Sequence, residues 1–183
     1  MAYRLFVDKG FKSTSLEEIT SSVGIAKSTF YVFFESKEML YMTLLAQEGE
    51  RVEQQVWTRV AAARDTRSAI KTYLHEMVMA METNVLTARM VYDLEEYKLV
   101  CRKLNPYYVG SENLRSIVPL TEFIQSRQAV GALIEEEPQV IAGVLKSAML
   151  IGAQKGNLEP YNYERMRELL FEAVANQMTR TEG

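Results

Sequence analysis

The 183-residue chain has one cysteine, one histidine, one tryptophan and four prolines. A lone Cys101 excludes an internal disulfide and fits a reducing compartment, so a cytoplasmic location is expected. No run approaches the roughly 18 apolar residues of a membrane-spanning helix, so no membrane partner is expected. The first ten residues, MAYRLFVDKG, lack the apolar centre and small-residue cleavage site of a signal peptide. His75 stands alone, and Cys101 has no histidine near it in sequence. No HExxH, phosphate-binding glycine loop or metal-ligand spacing occurs. No enzyme, no cofactor and no metal site is therefore expected. A basic excess is missing too: the net charge is −3. That does not favour nucleic acid, although the first forty residues balance Arg4, Lys9, Lys12, Lys27 and Lys37 against Asp8, Glu17, Glu18, Glu35 and Glu38.

Strand signals are almost absent, and helical periodicity is nearly everywhere. The fold is read as all-α. A first helix is expected from Ala2 to Asp8, ended by Gly10. Thr14-Ser15-Leu16-Glu17 fits a capping box with Thr14 as N-cap and Glu17 reaching back. That helix carries Leu16, Ile19 and Val23 and breaks at Gly24; a third runs from Ala26 or Lys27 to Phe33. Ser36 caps a fourth, reaching Val60. Later helices are expected from Thr66, over Val85 to Leu104, from near Asn113 with a kink at Pro119, from Pro138 towards Gly156, and after Asn162. The segment NPYYVGSEN reads as a loop.

Two short helices joined by Gly24-Ile25-Ala26 make a helix-turn-helix candidate. Glycine reaches a left-handed backbone at no steric cost. Ile25 is expected to plug between the helices against Ile19 and Phe30. The second helix is left with small polar groups, Lys27, Ser28 and Thr29, on a face that can lie deep in a DNA groove. In this motif the second helix enters the major groove with its N-terminal residues on base edges. Helix–glycine–helix corners also occur as plain packing in all-α proteins.

The stretch DKGFKSTSLEEITSSVGIAKSTFYVFFESKEML resembles the N-terminal DNA-binding domain of the TetR-type bacterial repressors. The resemblance rests on Gly10-Phe11, Thr14, Ile19, Val23-Gly24-Ile25, Lys27, Phe30-Tyr31, Phe34, Lys37 and Leu40, in order and at the family's spacing. It implies a three-helix DNA-binding domain over residues 1–46 and a larger helical effector-binding and dimerisation domain over 47–183. It implies contacts to double-stranded DNA from Thr14 and Ser15 at the start of the preceding helix, from Lys27, Ser28, Thr29 and Tyr31, and from Lys37 on a phosphate. Val32 and Phe33 depart from the pattern, standing where many relatives carry histidine, arginine or tyrosine. Val32 suits a thymine methyl, and Phe33 suits packing.

One such helix contacts few base pairs, so a homodimer on a palindromic operator is expected. Leu145, Ala148, Met149 and Gly152, with Met166, Leu170, Ala173 and Val174, supply two apolar seams for a four-helix interface of the family's kind. The same seams also suit packing inside one subunit. Tyr73, Met77, Met81, Tyr92, Tyr97 and Phe123 suit a pocket for a small apolar or aromatic effector, since methionine adapts and tyrosine adds a polar tip. Such a stripe is equally at home in a core. The expected function is a ligand-responsive transcriptional repressor. The alternative is a helical ligand-binding or adaptor protein whose N-terminal motif no longer meets DNA.

Overall fold

The computed structural model describes residues 1–104 and 118–180. The expected loop, including Tyr107 and Tyr108, and the helix start near Asn113 lie outside these. The described residues form α-helices joined by short turns, with a single isolated bridge between Leu133 and Thr179 in place of strands. The fold is all-α. Two compact units divide it: residues 1–51 with 83–112, and residues 52–82 with 113–183.

The first unit begins with α1, Ala2–Ser13. Gly10 interrupts it with φ 77° and ψ 169°, so the helix turns there and resumes for a few residues. A side chain at Gly10 would collide with the Arg89 guanidinium, so space and backbone both demand glycine. Next come α2, Leu16–Val23, and α3, Lys27–Phe33. The long α4, Lys37–Ala61, starts with Ser36 Oγ accepting from Met39 N at 3.1 Å and contributes residues to both units.

The helix expected over 85–104 is two: α6, Val85–Tyr92, and α7, Leu94–Cys101. Asp93 separates them with an extended backbone, and its carboxylate accepts from Glu95 N and Glu96 N. The acidic run therefore contains a helix cap, a competing local hydrogen bond that breaks an otherwise continuous periodicity. Phe6, Phe11 and Tyr41 form the aromatic centre of this unit, ring centroids 4.9 and 5.4 Å apart in edge-to-face pairs on Tyr41. Ile19, Phe30, Leu40, Leu86 and Val100 complete its core.

The second unit is built from the end of α4, from α5, Thr66–Thr83, from α8, Val118–Ala129, α9, Pro138–Met149, the one-turn α10, Lys155–Leu158, and α11, Tyr163–Met178. Asp65 caps α5 by accepting from Ser68 N, and Asn162, at φ 62°, caps α11 by accepting from Arg165 N. Pro138 opens α9 as expected, because a first-turn proline forfeits no helical hydrogen bond. Pro119 lies in the first turn of α8; the expected interruption or kink around it involves residues outside the described ones. After α9 the chain tightens into a 3-10 segment, Leu150–Gln154. Val56, Ile70, Leu74, Ile124, Leu133, Ile141, Leu145 and Phe171 are among its fully enclosed residues; each contributes on the order of 1.5–3 kcal/mol by leaving water.

The inward face of α11 differs from expectation. Tyr163, Arg167, Phe171, Ala175 and Met178 are buried, whereas Met166, Leu169 and Ala173 are exposed and Leu170 and Val174 half-buried. Arg167 made this stripe look polar. It is buried because Glu164 and Glu82 lie against its guanidinium and its plane covers the Tyr163 ring. On α9, Leu145, Ala148 and Met149 belong to the core of their own chain, and Gly152 is buried in the 3-10 segment. These four, expected at a seam between copies, are covered within one subunit.

Candidate functional site

The turn between α2 and α3 follows from a few residues. Ser15, not Thr14, is the N-cap of α2: its hydroxyl accepts from Glu18 N at 3.1 Å, and the Glu18 carboxylate accepts from Ser15 N at 2.8 Å. The capping box is thus one residue later than expected. Thr14 is fully buried, its hydroxyl donating to the carbonyls of Gly10 (2.7 Å) and Leu5 (3.2 Å). That hydroxyl ties off the end of α1.

At the other end of α2, Gly24 takes φ 71° and ψ 32°. Gly24 N donates to Ser21 O, and Ile25 N donates to Thr20 O. This paired closure is a Schellman motif, which needs the left-handed glycine. A Cβ at Gly24 would touch nothing, so conformation alone requires glycine here. Ile25 is 37% exposed and does not plug the corner. Ile19 and Phe30 do that work, with the Phe34 ring 5.6 Å from Phe30.

Only Phe30 of α3 is buried. Lys27, Ser28, Thr29, Tyr31, Val32 and Phe33 are all exposed. Tyr31 meets Phe30 edge-on at 5.4 Å while remaining 57% exposed, so it is not a core residue. Phe33 does not pack either: it is 71% exposed, and Val32 is 77% exposed.

Charge on this surface is largely matched. Lys27 Nζ lies 3.3 Å from Glu17 and Lys9 Nζ 2.6 Å from Glu18; Glu18 is half-buried and the other three are exposed. Lys9 above all, then the Ser15 backbone N–H, holds the Glu18 carboxyl at about 2 instead of 4.5. Lys37 points inward. Its ammonium donates to Phe11 O (2.8 Å) and Thr14 O (2.6 Å) and sits 4.1 Å over the Phe11 ring. Burial pushes its pKa down. Expected to pair with a phosphate, Lys37 is already a pin joining the end of α1 to the start of α4, with two of its three N–H groups committed.

A polar relay in the same unit went unnoticed in the sequence. Tyr41 OH donates to Glu96 Oε1 at 2.8 Å, Arg89 lies 3.5 Å from Glu96 Oε2, and Arg89 also donates to Val7 O. Burial first, then the Glu96 hydrogen bond, raises the Tyr41 hydroxyl's pKa. The relay ties α6 and α7 to α1 and α4. The only legible signal was the D-x-x-E cap at Asp93.

The expected effector residues are divided between the two units. Tyr73, Met77, Met81 and Phe123 pack in the second unit, while Tyr92 and Tyr97 belong to α6 and α7 of the first. Around Tyr73 the rings cluster: Trp57 lies 5.4 Å from it and 5.7 Å from Phe123. Trp57 Nε1 is buried without an acceptor among the described residues. Indole N–H groups normally find a partner when buried, so this tryptophan marks the cluster better than the tyrosines chosen from sequence. Glu82 accepts from Tyr163 OH at 2.7 Å and pairs with Lys155. Glu95 is exposed beside Lys98. His75 pairs with Glu168 at 3.2 Å and packs on Phe171.

Comparison with known proteins matches residues 1–43 to the model described as bacterial regulatory proteins, tetR family. The HTH-type transcriptional regulator YuxN of Bacillus subtilis is 29% identical over 85 residues, 46% of this chain and 28% of that protein. YerO, another HTH-type regulator of Bacillus subtilis, is 50% identical over 40 residues, 22% of this chain and 14% of that protein. The matched stretches thus span less than a third of each of these two relatives. Among solved structures, the fatty acid degradation regulator FadR of Bacillus halodurans superposes with a TM-score of 0.71 at 13% identity, covering 95% of this chain and 90% of its own. That likeness carries the fold across the whole chain.

Proposed function

We propose that this chain, which belongs to the tetR family and is a transcriptional regulator with an N-terminal DNA-binding domain, is a ligand-responsive repressor that binds a palindromic operator as a homodimer. Proteins of the family are non-enzymatic DNA-binding proteins, and this chain is one of them. The observation that carries the reading is α3, a helix with a single buried side chain and six exposed ones following a left-handed glycine turn. A helix held by one anchor has its remaining surface available to a groove. Lys27, Ser28, Thr29 and Tyr31 supply its polar contacts, with Ser15 beside the start of α2. Thr14 and Lys37 act by fixing the α1–α2 corner that aims this surface.

The exposed stripe of Met166, Leu169 and Ala173 on α11, flanked by Leu170 and Val174, supports pairing with a second copy. Two recognition helices then meet successive major grooves about 34 Å apart. The effector is a small apolar or aromatic molecule entering the Trp57–Tyr73–Phe123 cluster, where an acceptor atom would satisfy the Trp57 indole. Repression is relieved when that molecule favours a conformation unable to fit DNA; equal affinity for both conformations would shift nothing.

The test is binding of the full chain to the duplex upstream of its own gene across a salt series, beside scrambled duplex. Preference for the native duplex is expected, with affinity falling as salt rises. Equal binding to both duplexes at every salt concentration overturns the reading and leaves the adaptor alternative. A promoter–reporter readout with and without the protein then separates repression from activation.

A further inference from the structure

The end of α3 carries three consecutive large side chains in solvent, Tyr31, Val32 and Phe33. A helix ordinarily turns its apolar stripe to the protein. Here the protein takes only Phe30 and leaves Val32 and Phe33 facing out beside the hydroxyls of Ser28 and Thr29. Neither Val32 nor Phe33 donates or accepts a hydrogen bond. The apolar group offered by base edges in the major groove is the thymine C5-methyl.

Resting on the DNA-binding reading above, we propose that Val32 and Phe33 read thymine methyl groups and make the operator's thymines a main source of its selectivity. Charge supports this occupant. Lys9 and Lys27 are matched by Glu18 and Glu17, and Lys37 is spent on backbone carbonyls. Exposed pairs of this kind are weak and can be exchanged for phosphate, and Arg4 and Lys12 of the same unit are exposed as well, so phosphate contacts supply affinity without sequence preference. Discrimination then falls to base-edge contacts, and Val32 and Phe33, 77% and 71% exposed, are the apolar groups α3 offers for them. The adjacent ammonium and hydroxyl groups suit a groove lined with acceptors better than the dry face of a protein partner.

The experiment selects duplexes from a random pool with the full-length protein, then replaces thymidine by deoxyuridine in the winning duplex, which removes only methyl groups. Wild-type protein should lose about four-fold in affinity per contacted methyl, the equivalent of one buried carbon. Val32→Ser and Phe33→Ser proteins should each bind the thymidine duplex more weakly and lose less on the replacement than wild type, and the double variant should be indifferent to it. Both positions are exposed, so unchanged melting temperatures are expected, and the wild-type arm stands without the variants. A protein that selects a sequence yet binds the deoxyuridine duplex equally well overturns the methyl-reading inference while leaving DNA recognition intact. Failure to enrich any sequence overturns both. Self-association abolished by Phe33→Ser, with no methyl effect, assigns the face to a second copy of the chain and overturns the inference.

Discussion

The two units differ in how completely their buried polar atoms are matched among the described residues. In the first, buried or half-buried polar groups find partners: Tyr41 OH on Glu96, Arg89 on Glu96 and Val7 O, Thr14 on two carbonyls, Lys37 on two more. In the second, a larger apolar core encloses polar atoms without acceptors, Trp57 Nε1 and Arg167 Nε among them. A satisfied network is stiff, and stiffness suits a unit that must present α3 at a fixed angle. The unmatched Trp57 indole beside Tyr73 and Phe123 is the feature on which the proposed effector site rests.

Breaking either core tests that contrast, and the second unit should suffer most. Phe171→Ala empties a fully enclosed site on α11 and should cost roughly 3–5 kcal/mol in denaturant unfolding. In the first unit, Tyr41→Phe preserves the ring packing and removes only the donor to Glu96, so about 1–3 kcal/mol is expected, most of it the cost of an under-satisfied carboxylate. Smaller again are the two neighbouring hydroxyls. Thr14→Val should cost about 1–2 kcal/mol through the freed carbonyls of Gly10 and Leu5. Ser15→Ala should cost about 1 kcal/mol as a lost cap. If Thr14 instead contacts phosphate, its substitution will weaken DNA binding with no loss in melting temperature.

The smallest effect is acid sensitivity of the α2 cap. The Glu18 carboxyl sits at about 2 in the fold, against an ordinary 4.5. A depressed carboxyl stabilises the fold above its ordinary pKa, and that contribution disappears as pH falls from 4.5 towards 2. Melting curves over this window should fall less steeply for Glu18→Gln than for the wild type. An identical acid limb in both proteins would show that the cap carries no such linkage.

The helix-turn-helix was legible because its determinants are local. Gly24 demands a left-handed turn, and the small polar residues after it contrast with an apolar neighbourhood. The capping register was not legible. Thr14 and Ser15 are both hydroxyls, Glu17 and Glu18 both carboxylates, so two boxes one residue apart fit the same string. Burial of Thr14 against Leu5 and Gly10 selects the second. Lys37 was legible as a conspicuous cation but not in its direction, since a lysine ammonium turns inward only where orphan carbonyls await it. Asp93 was concealed by periodicity, because the apolar spacing of α6 and α7 continues across the break.

Sequence alone determined the helical class, the position of α3 and the resemblance in the first forty residues. Each depends on interactions spanning a few residues: helical period, glycine conformation and turn chemistry. Tertiary structure decided which face of α11 is inward, why Arg167 can be buried, which aromatic rings meet, and that Val32 and Phe33 remain in solvent. Those outcomes depend on partners distant along the chain, and a side chain's burial is a property of what packs over it rather than of the residue itself.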